Sequence, residues 1–427
     1  MKLLLKGGRV VDPATKTDAV LDVACEDGTI ARIGKDLPAG DARVISAKGL
    51  VVAPGFVDMH AHLREPGQEW KETIETGTRA AAAGGFTGVA CMPNTVPVND
   101  ERAVTEFIKS RAREKASVRV YPIGAISKGL KGEELAEIGD LVAGGAVAIS
   151  DDGRPVVSGT LFRKALEYAS MFGIPVIDHC EDVDLSDGGV VNEGIVSTVL
   201  GLKGWNRTAE EVMVFRDLTL ARETGGRVHI AHASTAGSVG LVREARARGA
   251  KATIEVTPHH FTLTEEACRE YDTRTKMNPP LRTEEDRRAI LEALADGTID
   301  AIATDHAPHH QDEKGVEFAR APFGIVGLET AVSLALDRLV GGGVIGLGRM
   351  VELFSTGPCR ILGLPGGRLA PGAPADLTLL DPDRRVVVDA SGFRSKGRNT
   401  PFHGWTLKGA PVATIVGGIV VHDVLTS

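Results

Sequence analysis

Gly55-Phe56-Val57-Asp58-Met59-His60-Ala61-His62 is a short apolar run of strand character that stops on two histidines. A helix-like stretch, 72–83, comes next, and a second apolar run follows at 86–92. The alternation then continues along the chain. Runs rich in Val, Ile or Ala occupy 118–125, 146–150, 174–179, 227–232, 252–257 and 299–304. Helix-period stretches such as 103–115, 161–171, 208–223 and 284–295 fall between them. Eight strands interleaved with helices make an α/β fold, either a (β/α)₈ TIM-type barrel or a long doubly wound sheet. No GxGxxG sits at a strand-to-helix turn and no GxxxxGK(S/T) occurs, so the barrel is expected.

Outside this middle the pattern changes. Strand-like runs with turn signals occupy 3–11, 21–25, 29–33 and 50–53, and again 376–380, 385–388 and 412–421. Two β-rich ends around an alternating centre predict a composite small β domain from 1–53 and 366–427, with the barrel over 54–365.

Composition sets the class. Of 427 residues, 43% are hydrophobic and 25% charged, the balance of a globular protein with a sizeable core. Gly at 51 and aromatics at 4% suit many tight turns better than an aromatic-packed sandwich. A net charge of −8 argues against nucleic acid or an anionic membrane as partner; an anionic substrate would need a locally basic pocket. The cysteines, Cys25, Cys91, Cys180, Cys268 and Cys359, are scattered with no CxxC pair, as in a reduced, cytoplasmic protein. The start is too short in apolar residues for a signal peptide, and no run nears the roughly 18 needed to span a bilayer.

The informative residues end the strand-like runs, where such a barrel carries its active site. Alternate strand residues share a face, so His60 and His62 project together and can hold one ion. An HxH pair alone arises often by chance. Other runs end alike, however: Ser150-Asp151-Asp152, Asp178-His179, Ala231-His232 and Thr304-Asp305-His306. Any one could simply be a polar cap. Five strands doing so at one mouth favour a site for Zn²⁺ or a similar divalent ion. His60, His62, Asp152, His179, His232 and Asp305 exceed one tetrahedral site, which favours two ions with a bridging carboxylate.

Strand parity selects Asp152 over Asp151, because Ala148 and Ser150 share its face as Ala301 and Ala303 share that of Asp305. By the same rule His229 opposes His232 and should face the helices. His259 and His260 are equally open to supporting the site or to packing, and His306 adjoins Asp305 and could orient it. Cys180 reads first as a small buried residue and second as a competing ligand. Residues 310–320 form a polar stretch that reads as a lid or as a solvated loop.

Two stretches carry a family resemblance. Asp58-Met59-His60-Ala61-His62-Leu63-Arg64-Glu65-Pro66 and Ala303-Thr304-Asp305-His306-Ala307-Pro308-His309, with Lys314 beyond, resemble signatures of the dihydroorotases, amidohydrolases of class I bacterial type. Cys91-Met92-Pro93-Asn94-Thr95, Ser150-Asp151-Asp152-Gly153 and Lys276-Met277-Asn278-Pro279-Pro280 are further similar landmarks in order. The resemblance implies that His60 and His62 bind one metal and His179 and His232 the other. Asp152 would bridge them and Asp305 complete the first site. It also implies substrate contacts from His62, Arg64, Asn94, Asn278, His309 and the Phe323-Gly324 backbone. Hydantoinases and dihydropyrimidinases carry a carboxylated bridging lysine after the fourth strand; here no lysine lies between Lys131 and Lys164.

The implied reaction is reversible closure of N-carbamoyl-L-aspartate to L-dihydroorotate, a step of pyrimidine biosynthesis. A metal-bridging hydroxide would attack, with Asp305 as general acid/base and two Zn²⁺ ions per chain as the implied cofactor. Arg64 would meet the substrate carboxylate with two parallel hydrogen bonds. The rival readings are a hydantoinase or allantoinase, and a silent or partner-dependent subunit of an aspartate carbamoyltransferase complex. A homodimer is a further expected assembly.

Overall fold

The eight runs form strands Phe56–Ala61, Phe86–Cys91, Arg119–Gly124, Ala148–Ser150, Val176–Asp178, Val228–Ile230, Ala252–Val256 and Ala301–Ile302 in the computed structural model, which describes residues 2–425. Met1, Thr426 and Ser427 lie outside the described residues. Each strand pairs in parallel with the next. The last meets the first through a parallel bridge between Ala61 and His306. Asp58 reinforces that seam, accepting from Thr304 N at 2.9 Å and Thr304 Oγ1 at 2.6 Å. The result is a near-closed barrel of TIM type, as expected.

Helices Ile74–Ala83, Arg102–Lys115, Gly159–Phe172, Thr208–Thr224, Ala236–Ala247 and Glu284–Asp296 follow the first, second, fourth, fifth, sixth and seventh strands. Thr73, Ser158, Thr235 and Thr283 cap four of them, each accepting from a backbone N–H of the first turn that would otherwise be open. Strand alternation then sorts two layers. Ile149, Val176, Ile230, Ile254 and Ile302 cluster with Phe162, Leu166, Leu218 and Leu294 of the helices. Each such large side chain contributes about 1.5–3 kcal/mol on burial. Ala148, Ala231, Ala301 and Ala303 belong instead to an inner cluster with Met59, Met92 and Ile177. Small inward residues leave room at the mouth for imidazoles and carboxylates.

The chain ends meet in one mixed sheet: Lys2–Asp12, Thr17–Glu26, Thr29–Gly34, Arg43–Ser46, Val51–Pro54, Leu377–Val387, Thr406–Val416 and Ile419–Asp423. Val51–Pro54 runs antiparallel to Leu377–Val387 and ties the two ends together. Leu3, Val23, Val52, Leu377 and Ile415 give this sheet a core of its own. On that ground we propose the division into 1–53 with 366–427 and a barrel over 54–365.

Three details differ from expectation. Arg43–Ser46 is an added strand of only four residues, largely exposed, with Ile45 packed against the small sheet's core. Runs 376–380 and 385–388 are one strand with a register shift between Asp381 and Arg385. The run 412–421 is a hairpin, because Gly417 and Gly418 take φ of 56° and 76°, which glycine alone adopts freely. Among the described residues no helix is long and apolar enough to cross a membrane, and all five cysteines are free and buried.

Candidate active site

All six expected donors are buried and converge at the mouth. Asp152 sits at the centre: its Oδ1 lies 3.3 Å from His60 Nε2, 3.5 Å from His179 Nδ1 and 3.7 Å from His232 Nε2. Its Oδ2 lies 3.5 Å from His62 Nε2. Asp305 Oδ1 is 3.2 Å from His62 Nε2 and 3.6 Å from His60 Nε2. Backbone conformation aims several of these groups. Arg64, His232 and Asp305 take φ of 61°, 32° and 46°, a left-handed region that costs a residue with a Cβ roughly 1–2 kcal/mol. Such strain is held at sites where a side chain must be turned off the regular strand direction.

The donors fit divalent cations. His60 Nε2 is buried with no hydrogen-bond partner. His179 Nδ1 and His232 Nε2 face each other at 2.9 Å, so two lone pairs need a proton or a cation beside them. The groups His60, His62, Asp305 and His60, Asp152, His232 each bring their ligand atoms within 4.8 Å of one another. Nitrogen and carboxylate oxygen suit Zn²⁺ or a related ion. Electrostatics agree. Burial opposes ionisation of Asp152 and Asp305, but His60, His179 and His232 outweigh it at Asp152, and His62 and His60 at Asp305, holding both carboxyls below the usual range. Burial also opposes a charged His179; Asp152 and Glu181 outweigh it and raise its pKa to about 10. The centre attracts positive charge.

Above the donors lies a cavity of about 240 Å³, lined by His62, Arg64, Asn94, Asn278, His309, Phe323 and Gly324. Arg64 donates from Nε to Pro308 O at 3.3 Å and pairs with no carboxylate among the described residues. Asn94 Oδ1 accepts from His62 Nδ1 at 2.9 Å, which leaves His62 Nε2 to face Asp305. Asn278 Oδ1 is buried and unpartnered. His309 donates from Nε2 to Phe323 O at 2.8 Å. Burial first, and then Arg64, push its pKa down to about 2, so the ring is neutral. Gly324 takes φ of 119°, and a Cβ there would meet Ala307 Cβ at 2.6 Å.

The 310–320 stretch is pinned at its base. Lys314 Nζ donates to Pro322 O at 2.8 Å and Lys276 O at 3.3 Å. Lys276 Nζ donates to Phe318 O at 3.0 Å and Ala319 O at 2.9 Å.

Some subsidiary expectations change. His229 does not face the helices: its Nδ1 meets Thr253 Oγ1 at 2.8 Å and its Nε2 lies 3.2 Å from Glu255 Oε2. The left-handed turn at His232 breaks the alternation on which the parity rule relied. His306 contacts Glu72 and Gly327 N, supporting the neighbouring loop. His260 bonds Thr257 and Pro279 O and is structural. Cys180 turns away towards Asp178 and Asp217, at 3.4 and 3.5 Å, and burial raises its thiol pKa.

Three supporting residues went unread in the sequence. Glu255 sits in the seventh strand and Glu181 just past the fifth, each against a donor histidine at 3.0 and 3.2 Å. A lone acid inside the apolar run Ala252–Val256 is a usable signal. Asn399 has none: it reaches from the C-terminal segment to bond Ala307 O, Gly324 O and His309 N.

Comparison with known proteins agrees with this geometry. A family model described as dihydro-orotase-like matches residues 49–238, and an amidohydrolase family model matches 206–422. A dihydroorotase of Pelotomaculum thermopropionicum is 61% identical over 421 residues, covering 99% of this chain and 98% of the relative. One from Acetivibrio thermocellus is 55% identical over 419 residues, covering 98% of each. Among solved structures, an L-hydantoinase (dihydropyrimidinase) from Arthrobacter aurescens matches with a TM-score of 0.90 at 27% identity, covering 99% of this chain and 96% of that one. Full-length identity at this level, together with the converged histidines and aspartates, places the chain in the dihydroorotase family of amidohydrolases.

Proposed function

We propose that the protein catalyses the reversible cyclisation of N-carbamoyl-L-aspartate to L-dihydroorotate at a centre of two divalent cations, Zn²⁺ by donor chemistry. The observation that carries this is an Arg64 without a carboxylate partner, opening into the same cavity as five of the six donors, His62, Asp152, His179, His232 and Asp305. His60 and His62 with Asp305 would hold one cation and His179 with His232 the other, Asp152 lying between. Bound there, the cations supply Lewis acidity, polarising a carbonyl and bringing the pKa of water down to about 7.

The chain's own groups do the rest. Arg64 anchors the substrate carboxylate, supplying the local positive charge that an acidic protein needs. Asn94, Asn278, His309 and the Phe323-Gly324 backbone frame the substrate. Asp305, ionised and beside His62, takes the proton of the attacking water and delivers it to the leaving ring nitrogen. In the synthetic direction it removes the ureido proton.

The proposal includes a cytoplasmic setting, with a homodimer and an aspartate carbamoyltransferase complex as candidate assemblies. The decisive assay compares dihydroorotate with hydantoin and allantoin, on Zn²⁺-supplemented protein. Dihydroorotate should be preferred by orders of magnitude. Preference for either competitor would replace this assignment with a hydantoinase or allantoinase activity.

A further inference from the structure

Two carboxylates outside the donor set stand behind it, one at each proposed cation position. Glu255 is fully buried, and its Oε1 lies 3.0 Å from His60 Nδ1 while also accepting from His232 N at 3.3 Å. His229 braces it from behind, with Nε2 at 3.2 Å from Oε2. Glu181 Oε2 lies 3.2 Å from His179 Nε2 and accepts from Asn278 Nδ2 at 3.1 Å. Its Oε1 accepts from Ser186 Oγ at 2.6 Å.

Ionised carboxylates only accept hydrogen bonds, so these contacts fix where the imidazole protons sit. His60 must then carry its proton on Nδ1 and His179 on Nε2. The lone pairs are left on His60 Nε2 and His179 Nδ1, the atoms that face Asp152 at 3.3 and 3.5 Å. Glu181 does more. By taking both His179 and the Asn278 amide N–H, it fixes the amide of Asn278, a residue lining the cavity whose Oδ1 is buried and without a partner. That oxygen can accept from an N–H of the substrate.

We infer that Glu255 and Glu181 are positioning residues for separate cations, Glu255 for the His60 position and Glu181 for the His179 position, and that Glu181 also sets the acceptor which Asn278 offers to substrate. Both roles presuppose the two-cation centre proposed above. Carboxylate partners of ligand imidazoles typically govern metal affinity about 10–100-fold.

The test is Zn²⁺ titration of metal-stripped protein against a competing chelator, for wild type, Glu255→Gln and Glu181→Gln, with melting of each metal-free form as a control. Wild type should take up two equivalents. Each variant should lose about 10–100-fold in affinity for one equivalent and keep the other. At saturating Zn²⁺, Glu181→Gln should also raise KM for dihydroorotate more than it lowers kcat, and Glu255→Gln should not. Histidine ¹⁵N spectra of Zn²⁺-loaded wild type give a reading independent of variant folding: His60 protonated on Nδ1 and His179 on Nε2. Wild type that binds no pair of cations removes the centre itself. Two intact equivalents in both variants, equal weakening of both equivalents by either variant, or the opposite tautomers would overturn the positioning roles alone.

Discussion

Asp305 shows how one residue acquires a role from its surroundings. Burial alone would favour its neutral form, but His62 and His60 keep it a carboxylate able to receive a proton. Asparagine has nearly the same size and cannot carry that proton. Asp305→Asn should therefore lower kcat by about 10²–10⁴-fold in both reaction directions, as measured on Zn²⁺-saturated enzyme. A kcat within about threefold of wild type would mean that the proton travels by another group, the general acid/base role being what is then lost. Arg64 is the converse case, a cation with positive φ and no acidic partner, the residue proposed above to anchor the substrate carboxylate.

At the scale of elements, the segment from Gln311–Lys314 to Gly324 is organised by two buried ammonium groups bonded to backbone carbonyls. Burial lowers Lys314 from 10.5 to about 7 and Lys276 to about 8. A lysine with a depressed folded-state pKa binds fewer protons than the unfolded chain between those two values. Its contribution to stability is therefore present in full above pH 10.5 and is lost as pH falls through about 7. Lys314→Met should remove up to about 1.4 kcal/mol per pH unit of upward slope across that window. Urea unfolding of both proteins at several pH values reads this difference; parallel curves would show Lys314 to be normally titrating. The same variant should raise KM, because Pro322 O loses its donor beside Phe323 and Gly324.

Over the whole molecule, the barrel is closed at the seam between first and last strands, and the donors come from both sides of that seam. Holding His60 and Asp305 together therefore also holds the barrel shut, alongside the Asp58–Thr304 bonds. Cations that bind only the folded state add RT ln(1 + [L]/Kd), about 4 kcal/mol at roughly 1,000 times Kd. Chelation should lower Tm by several degrees and re-addition of Zn²⁺ should restore it, followed by calorimetry. An unchanged Tm would show that the fold does not depend on the cations.

How much of this was legible beforehand follows from the range of each interaction. Strand alternation is local, so 55–62 could be read as a strand with paired histidines. The six donors were legible because each ends an element, and a parallel barrel gathers all such ends at one rim. His229 failed the same rule because the chain leaves strand geometry at His232, and a single left-handed residue resets which way a side chain points. Arg43–Ser46 was silent because Val44 and Ile45 are adjacent and four residues are too few to show alternation.

The amino-acid order by itself determined the alternating elements, the donor set and the family. Only the folded molecule decided which carboxylate stands behind which histidine, and that Asn399 braces His309 from 90 positions away. Those contacts join atoms whose separation along the chain carries no periodic signal; they exist only once the barrel has closed and the C-terminal segment has packed against it.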